Sequence, residues 1–262
     1  MKKLMGMMLA ACMVAGFSMA QVTSLNVVGY QTMTLTPGFT MIGLNFGAVS
    51  NTPANIPIQN IFSTNGLFAG SLSTTADQIQ IWNGSQFVGY YYQAYKASNP
   101  NKFLAGPAWV KTSGTATTDA IPAGTGFWFS RPISSALTSQ VTVAGQVLSA
   151  TNTTFNLTVG FNMIGSAYPV GFALNGGPFN WANATAGNLS TTSDQIQLWN
   201  GSAFVGYFYQ AYKASNPNKF LAGPAWVKTS GTATTDSIPA GTGFWYSKVG
   251  AGASVVQTSP LN

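Results

Sequence analysis

The chain contains no histidine, no glutamate and a single cysteine, Cys12, in 262 residues. Nucleophilic sites of the Ser-His-Asp and Cys-His types need histidine, so the composition excludes both types. Zinc sites built from histidine and cysteine are excluded on the same ground. The sequence therefore predicts a protein that is not an enzyme and that holds no metal ion and no cofactor.

Charged residues are also scarce, at 5% of the chain against about 25% in an ordinary soluble protein. The surface must therefore be built from Thr, Ser, Asn, Gln and Gly, which suits an extracellular matrix or a sugar-facing protein better than a crowded cytosol. The formal net charge of +6 includes Lys2 and Lys3, in a segment that we expect to be removed. The other lysines are spaced singly, so no clustered basic stripe is present and no nucleic-acid partner is predicted.

Four aspartates are the only acidic residues: Asp77, Asp119, Asp194 and Asp236. A glycosidase needs two carboxylates that flank the scissile bond, and only these residues could supply them. Asp77 begins a predicted strand beside Thr and Ser, where an Asx turn or cap is the usual role, and Asp119 precedes an Ile-Pro turn. We expect structural roles for these carboxylates. A calcium ion held by one aspartate and backbone carbonyls in each module is an open alternative.

The first 20 residues have the features of an export signal. A positive Met-Lys-Lys start precedes an apolar stretch over residues 4–17, and Ala20 ends a small-residue cleavage site. We predict a signal peptide of residues 1–20, cleaved after Ala20. Lipid attachment at Cys12, which follows a lipobox-like Leu-Ala-Ala, is the alternative. No later apolar run reaches the ~18 residues that a membrane-spanning helix needs, so no transmembrane segment is predicted.

The most informative feature that is present is an internal repeat. Residues 72–131 recur as residues 189–248 at an offset of 117, and only seven of the 60 positions differ. The seven pairs are Ala76/Ser193, Ile81/Leu198, Gln86/Ala203, Tyr91/Phe208, Ala120/Ser237, Phe129/Tyr246 and Arg131/Lys248. The repeat predicts two tandem modules, residues 21–148 and residues 149–262, each long enough to bury its own core.

The pattern between the turn signals is that of β-strands. Residues 77–82 alternate polar and apolar side chains, Asn83-Gly84-Ser85 has turn chemistry, and residues 86–93 form a return strand. No segment shows a sustained 3.6-residue apolar period, so helix should be scarce. The sequence therefore predicts an all-β protein made of two β-sandwich-like modules.

The two faces of this hairpin determine the candidate binding residues. A three-residue loop pairs Ile81 with Phe87, and the core face that they share then includes Ile79 and Tyr91. The neighbouring tyrosines lie on the other face, where flat rings with amide and hydroxyl neighbours could stack against sugars. The ligand-binding residues predicted on this basis are Tyr90, Tyr92, Tyr95, Tyr207, Tyr209 and Tyr212. The alternative is that loops cover this other face of the sheet and bury the tyrosines. The tryptophans expected in the core are Trp82, Trp109 and Trp128.

Three motifs of the second module resemble those of a β-module of secreted bacterial surface proteins, which reads roughly "GWNLIGNPYP", "WdGs" and "PgqGFW". Here they are residues 160–169 (GFNMIGSAYP), 196–202 (IQLWNGS) and 238–245 (IPAGTGFW). The first module matches the last two motifs and departs from the first, where Leu44-Asn45 replaces the Tyr-Pro. The motifs consist of turn glycines and core aromatics, so the resemblance implies a fold and secretion but no activity.

These observations predict a secreted, non-catalytic structural or adhesive protein of the cell surface or extracellular matrix of a Gram-negative-type bacterium. Its expected partners are further copies of itself or an extracellular polysaccharide. Residues 24–35 form a strand that could pair with the open edge of another subunit. The alternative function is a carbohydrate-binding protein with one weak aromatic site per module.

Overall fold

A computed structural model describes residues 27–49, 55–94, 106–113, 117–211, 223–229 and 234–260. The predicted signal peptide, Cys12, Tyr95 and Tyr212 lie outside these residues. Strands dominate the described part, and its helical elements are four 3-10 turns of three residues each: Ile58–Asn60, Ser73–Thr75, Ile133–Ser135 and Ser190–Thr192. The all-β prediction is therefore confirmed.

The N-terminal half contains nine strands. They are β1 (Val28–Leu35), β2 (Gly38–Gly43), β3 (Ile56–Pro57), β4 (Gln78–Trp82), β5 (Phe87–Gln93), β6 (Ala108–Lys111), β7 (Ala120–Ile121), β8 (Gly126–Arg131) and β9 (Ser139–Gln146). Five of them form an antiparallel sheet in the order β2-β8-β4-β5-β6, while β1 pairs with β9 and β3 with β7.

The C-terminal half contains ten strands. They are β10 (Asn152–Leu157), β11 (Gly160–Gly165), β12 (Phe172–Ala173), β13 (Phe179–Asn180), β14 (Gln195–Trp199), β15 (Phe204–Gln210), β16 (Ala225–Lys228), β17 (Ser237–Ile238), β18 (Gly243–Lys248) and β19 (Ala253–Thr258). The five-stranded sheet has the order β11-β18-β14-β15-β16, which repeats the arrangement of the first half. The remaining strands form β10-β19-β13 and β12-β17.

Each half buries a hydrophobic cluster of its own. In the N-terminal half, Ile79 and Phe127 from the five-stranded sheet face Leu35 and Val141 from the β1–β9 ribbon. A second cluster joins β10, β19 and the second five-stranded sheet. Alternate residues of a strand point to opposite faces, so each five-stranded sheet has one face on its core and one face turned away from it.

The β4–β5 hairpin pairs one residue out of step with the sequence expectation. Trp82 pairs with Phe87, and the amide of Asn83 donates to the carbonyl of Gln86 at 3.1 Å. The turn is therefore shorter than the three-residue loop that was expected, because only Gly84 and Ser85 lie between the last paired residues. The predicted pairing of Ile81 with Phe87 is wrong. A one-residue slip moves every side chain of the strand to the opposite face.

In the observed register, each aromatic residue of β5 points to the sheet face opposite the one expected from the sequence. Ile79 pairs with Tyr90 and Ile81 pairs with Val88, so these residues face the core. Tyr91 and Phe87 lie on the other face. Tyr91 is nevertheless buried, at 7% exposure, in a small cluster with Ala76 and Val110. The expectation that Tyr91 lies in the main core and Phe87 beside it is therefore wrong.

The outer edge strands β6 and β16 are covered by side-chain amides. Gln59 donates to the carbonyl of Trp109 at 2.5 Å and accepts from its amide at 3.0 Å. Asn175 makes the same pair of bonds with Trp226, at 2.9 Å each. Each amide thus takes the place of a neighbouring strand at its edge. Covered edges do not offer a template for pairing with another chain.

Candidate functional site

Of the six tyrosines that the sequence selected, the four within the described residues lie in the cores or pack against them. Tyr90 and Tyr92 are 3% and 5% exposed, Tyr207 is 2% exposed, and Tyr209 packs against the second core. The expectation that these rings lie on an accessible face is wrong, because the hairpin register turns them inward. A ring that is buried in a core has no free face for stacking. Tyr95 and Tyr212 lie outside the described residues.

Asp77 forms a buried ion pair. Arg131 donates through Nε to Oδ1 at 2.9 Å and through Nη2 to Oδ2 at 2.6 Å, and neither side chain is exposed. Oδ2 also accepts the amide of Phe68 at 2.8 Å. The remaining guanidinium donors bond to Ser139 Oγ and to backbone carbonyls, including that of Gly66. The pair is fully hydrogen-bonded, so the carboxylate is held by the fold and is closed to a substrate.

Asp194, the copy of Asp77, has a different set of partners. Lys248 Nζ lies 3.1 Å from Oδ2, and it also donates to Thr185 Oγ1 at 2.7 Å. The hydroxyl of Tyr246 donates to Oδ2 at 2.7 Å, and the amide of Val249 donates to Oδ1 at 2.7 Å. Burial and the hydrogen bond to Asp194 raise the pKa of Tyr246 far above its usual range. The tyrosine hydroxyl thus supplies a bond that lysine, with fewer donors than arginine, does not make.

Asp119 and its copy Asp236 each join a tyrosine to a lysine. Asp119 Oδ2 accepts from the hydroxyl of Tyr90 at 2.6 Å and lies 3.0 Å from Lys111 Nζ. The hydrogen bond from Tyr90, helped by Lys111, lowers the pKa of Asp119. Burial and the same bond raise the pKa of Tyr90. The second copy, with Tyr207 and Lys228, has the same shape. All four aspartates therefore make contacts within the fold, but Asp77 does so in a buried ion pair and not in the expected Asx turn or cap.

The two halves meet where glycines from both halves bring their backbones together. The amide of Gly43 donates to the carbonyl of Gly241, and the amide of Gly165 donates to that of Gly124, both at 2.8 Å. A Cβ on Gly126 would lie 2.7 Å from the carbonyl oxygen of Ile164. This approach needs residues without a side chain. The Gly-Thr-Gly motif of each half thus forms part of the contact with the other half.

One tryptophan of each half donates a hydrogen bond to the other half across this contact. The indole N–H of Trp82 donates to the carbonyl of Phe161 at 2.8 Å, and that of Trp199 donates to the carbonyl of Phe39 at 3.0 Å. Trp82 lies edge-to-face on Trp245 with centroids 5.7 Å apart. Their counterparts Trp199 and Trp128 have the same separation of 5.7 Å. The same patch on each half makes the same contacts with the other, as in a two-fold symmetric dimer.

This arrangement corrects the prediction for two of the three tryptophans. Trp109 is 1% exposed and belongs to the first core, as expected. Trp82 and Trp128 are only half-buried and lie on the opposite face of their sheet, against the other half. In their strands, Trp82 and Trp128 point to the sheet face opposite that of the core residues Ile79 and Phe127.

Two open grooves run along this aromatic layer. One has a volume of about 290 Å³ and is lined by Phe39, Gln80, Phe87, Trp128, Trp199 and Phe204. The other has a volume of about 280 Å³ and is lined by Trp82, Phe87, Phe161, Gln197, Phe204 and Trp245. Phe87 and Phe204 contribute to both, and each groove contains one glutamine amide. We take these two grooves, called the aromatic grooves below, as the candidate functional site.

Exposed aromatic rings mark the rims of the aromatic grooves. Phe39 and Phe161 are 54% and 50% exposed, and Phe87 and Phe204 are 42% and 45% exposed. A contiguous exposed apolar surface of this kind is typical of an interaction site. Among the described residues, none that lines either groove is charged.

Among the described residues, no three or more His, Cys, Asp or Glu side chains come together as a possible metal-ligand group. Over the same residues, no helix has the length and apolar character that crossing a membrane requires. Comparisons with models of known protein families, with curated proteins and with solved structures found no match.

Proposed function

We propose that the chain is a secreted, non-catalytic structural or adhesive protein of the bacterial cell surface or extracellular matrix. The observation that carries this proposal is the use of all four aspartates as structural groups. Two are buried in ion pairs and two bridge a tyrosine to a lysine. In a chain without histidine or glutamate, each carboxylate that could act as a general acid or base is thus held in a contact within the fold.

Export and surface composition support the cellular location within this proposal. The first 20 residues have the pattern of a signal peptide, and the surface relies on neutral polar residues. The proposed organisation is two tandem β-sandwich-like modules, residues 21–148 and 149–262. The separate cores and the matching order of the two five-stranded sheets favour it.

Fractionation of the native bacterium with intact-mass measurement tests this function. We expect the protein in the surface or extracellular fraction, with a mass that corresponds to residues 21–262. A mass that corresponds to acylated Cys12 as first residue would keep the surface location and replace the proposed cleavage site. Recovery of the uncleaved chain from the cytoplasm alone would contradict the proposal.

Self-association is part of the proposal, and β1 supports it. Within the described residues β1 pairs with β9 alone, so its other edge has no strand beside it. An uncovered edge can pair with a strand of another subunit, so the strand predicted over residues 24–35 can join the open edge of a second copy. Light scattering should detect oligomers of the exported chain and fewer oligomers when residues 21–30 are deleted. Oligomers with the same number of subunits for the full and the shortened chain would contradict this mode of association.

A further inference from the structure

We infer that the two aromatic grooves bind a neutral polysaccharide, with one segment of the same glycan strand in each groove. This inference rests on the adhesive role proposed above, and it adds a ligand class and a location. It places the contact on the outer faces of the two five-stranded sheets. Tyr90, Tyr92, Tyr207 and Tyr209, which were selected from the sequence, do not line these grooves.

The lining of the aromatic grooves fits a sugar in its chemistry. The C–H faces of a pyranose ring are apolar and pack against aromatic rings, whereas its hydroxyls need hydrogen-bond partners. Phe39, Trp128 and Trp199 supply rings in one groove, and Gln80 supplies an amide. Neither the Gln80 amide nor the Gln197 amide has a hydrogen-bond partner among the described residues, so each can donate to and accept from a hydroxyl.

The absence of charge selects a neutral ligand. A groove for an anionic glycan would carry Lys or Arg, and an interfacial membrane site would combine apolar residues with basic ones. The described residues that line the grooves supply aromatic rings and glutamine amides and no charge. Their unpaired glutamine amides also fit a polysaccharide, whose hydroxyls need hydrogen-bond partners, better than the apolar face of a second protein copy.

The tryptophans are held in place before any ligand arrives. The polar atom of Trp82 is bonded to the carbonyl of Phe161, and that of Trp199 to the carbonyl of Phe39. The indole rings therefore offer apolar surface in a fixed orientation. Rigid aromatic anchors lose little conformational entropy on binding, which favours affinity.

Two adjacent equal grooves make the site bivalent. Each groove is small, near the lower limit of about 300 Å³ for ligand sites, so one groove alone should bind weakly. Phe87 and Phe204 line both grooves, so the two grooves are adjacent. A polymer that occupies one groove holds its next segment near the other, so the apparent affinity exceeds that of either groove.

Affinity electrophoresis of the exported full chain tests this inference. The gels contain hydroxyethyl cellulose, galactomannan, arabinoxylan, mixed-linkage β-glucan, starch or glycol chitin. We expect retardation by at least one of these neutral polymers. The F87A/F204A variant, which removes the wall shared by both grooves, should raise the apparent Kd at least tenfold. Retardation by none of the six polymers, or equal retardation of this variant, would overturn the inference.

Three further variants separate the parts of the site. Leu72→Ala/Leu189→Ala is the matched control, because both residues are 63% exposed and neither lines a groove. This control should bind like the wild type. F39A, which damages one groove, should lose the bivalent gain, and Gln80→Leu/Gln197→Leu should bind severalfold more weakly. Unchanged binding by the glutamine variant would overturn the role of the amides.

A measurement on the wild type covers the case in which the F87A/F204A variant does not fold. Titration with the retarding polysaccharide should shift the tryptophan emission and reduce quenching by acrylamide, since four tryptophans line the grooves. No change would overturn the inference. A wild-type dimer that F87A/F204A converts to monomer, or binding to phosphatidylcholine vesicles without retardation, would assign the surface to another partner. If the chain is found outside the cell but binds no polysaccharide, this inference fails while the proposed adhesive function is not contradicted.

Discussion

The indole N–H of Trp82 donates to the backbone carbonyl of Phe161 at 2.8 Å, which joins the N-terminal half to the C-terminal half. The same bond recurs in the opposite direction between Trp199 and Phe39. The halves are therefore joined by a contact that is made twice, and the aromatic grooves exist only because both halves are present.

Removing both indole donors should weaken this contact while a smaller aromatic ring remains at each position. Trp82→Phe/Trp199→Phe loses two hydrogen bonds that cross between the halves, each with a net contribution of about 0.5–1.5 kcal/mol. We expect a lower free energy of unfolding by about 1–3 kcal/mol, measured by urea denaturation. Leu72→Ala/Leu189→Ala serves as the control and should be nearly neutral. A stability equal to that of the wild type would argue against the exchanged bonds.

Glycine is needed at Gly126 because the backbone of the other half lies against it. A Cβ there would be 2.7 Å from the carbonyl oxygen of Ile164 and 2.8 Å from its nitrogen. Gly126→Ala should therefore cost about 1–3 kcal/mol through forced displacement of the backbone. Gly106→Ala is the control, since nothing lies within 4 Å of a Cβ at that position. Equal unfolding midpoints for both variants would show that the halves do not approach as described.

The buried ion pairs predict that two of the seven repeat differences depend on each other. Arg131→Lys should destabilise the protein by about 1.5–3 kcal/mol, because it leaves acceptors around Asp77 without donors. Adding Phe129→Tyr to that variant should restore part of the loss, as the pair Tyr246 and Lys248 does in the other half. A double-mutant cycle measures this interaction. Strict additivity of the two changes would contradict the dependence.

The lowered pKa values of Asp119 and Asp236 predict how stability changes in acid. A carboxyl with a lower pKa in the folded state adds stability above its unfolded value of about 3.9, and this is lost as pH falls through the folded pKa. Both groups are over a third exposed, so the gain is under about 1 kcal/mol each. Below pH 4, Asp119→Asn/Asp236→Asn should lose stability less steeply than the wild type. Parallel pH profiles would exclude this contribution.

The side-chain amides at the sheet edges predict a protection against aggregation. Gln59→Ala/Asn175→Ala uncovers the backbones of β6 and β16 at Trp109 and Trp226. An open edge pairs with other chains, so light scattering should show faster aggregation than in the wild type. Gln80→Ala/Gln197→Ala is a control with the same loss of an amide away from these edges. Similar aggregation of both variants would assign the effect to lost polarity.

Local signals in the sequence were sufficient for the strand content and for the position of the β4–β5 turn. The alternation from Gln78 to Trp82 and the Asn83-Gly84 pair both indicate a hairpin, and the structure has one there. The register was missed because a turn of two or of three residues fits the same letters. The replacement of Tyr91 by Phe208 preserves apolar bulk, yet it reflects a buried second face and not the main core.

The contact between the halves could not be read from local patterns. Trp82 and Phe161 are 79 residues apart, and Phe39 and Trp199 are 160 apart. A signal for their position did exist, since Trp82 and Phe87 are out of phase with the core residues of their strands once the register is known. The glycines of the Gly-Thr-Gly motif were interpreted as turn residues, although Gly126 is also needed for the approach of the other half.

The central claim is that the two halves pack against each other at one junction, and that the aromatic surface at this junction is the binding site. Hydrogen exchange at the amides of Gly43 and Gly165 tests this claim most directly. Both amides donate across the junction at 2.8 Å, and both residues are buried. We predict that they exchange as slowly as amides in the central strands, because exchange requires the halves to separate. Exchange as fast as at the exposed turn glycines Gly84 and Gly201 would contradict the junction and, with it, the aromatic grooves.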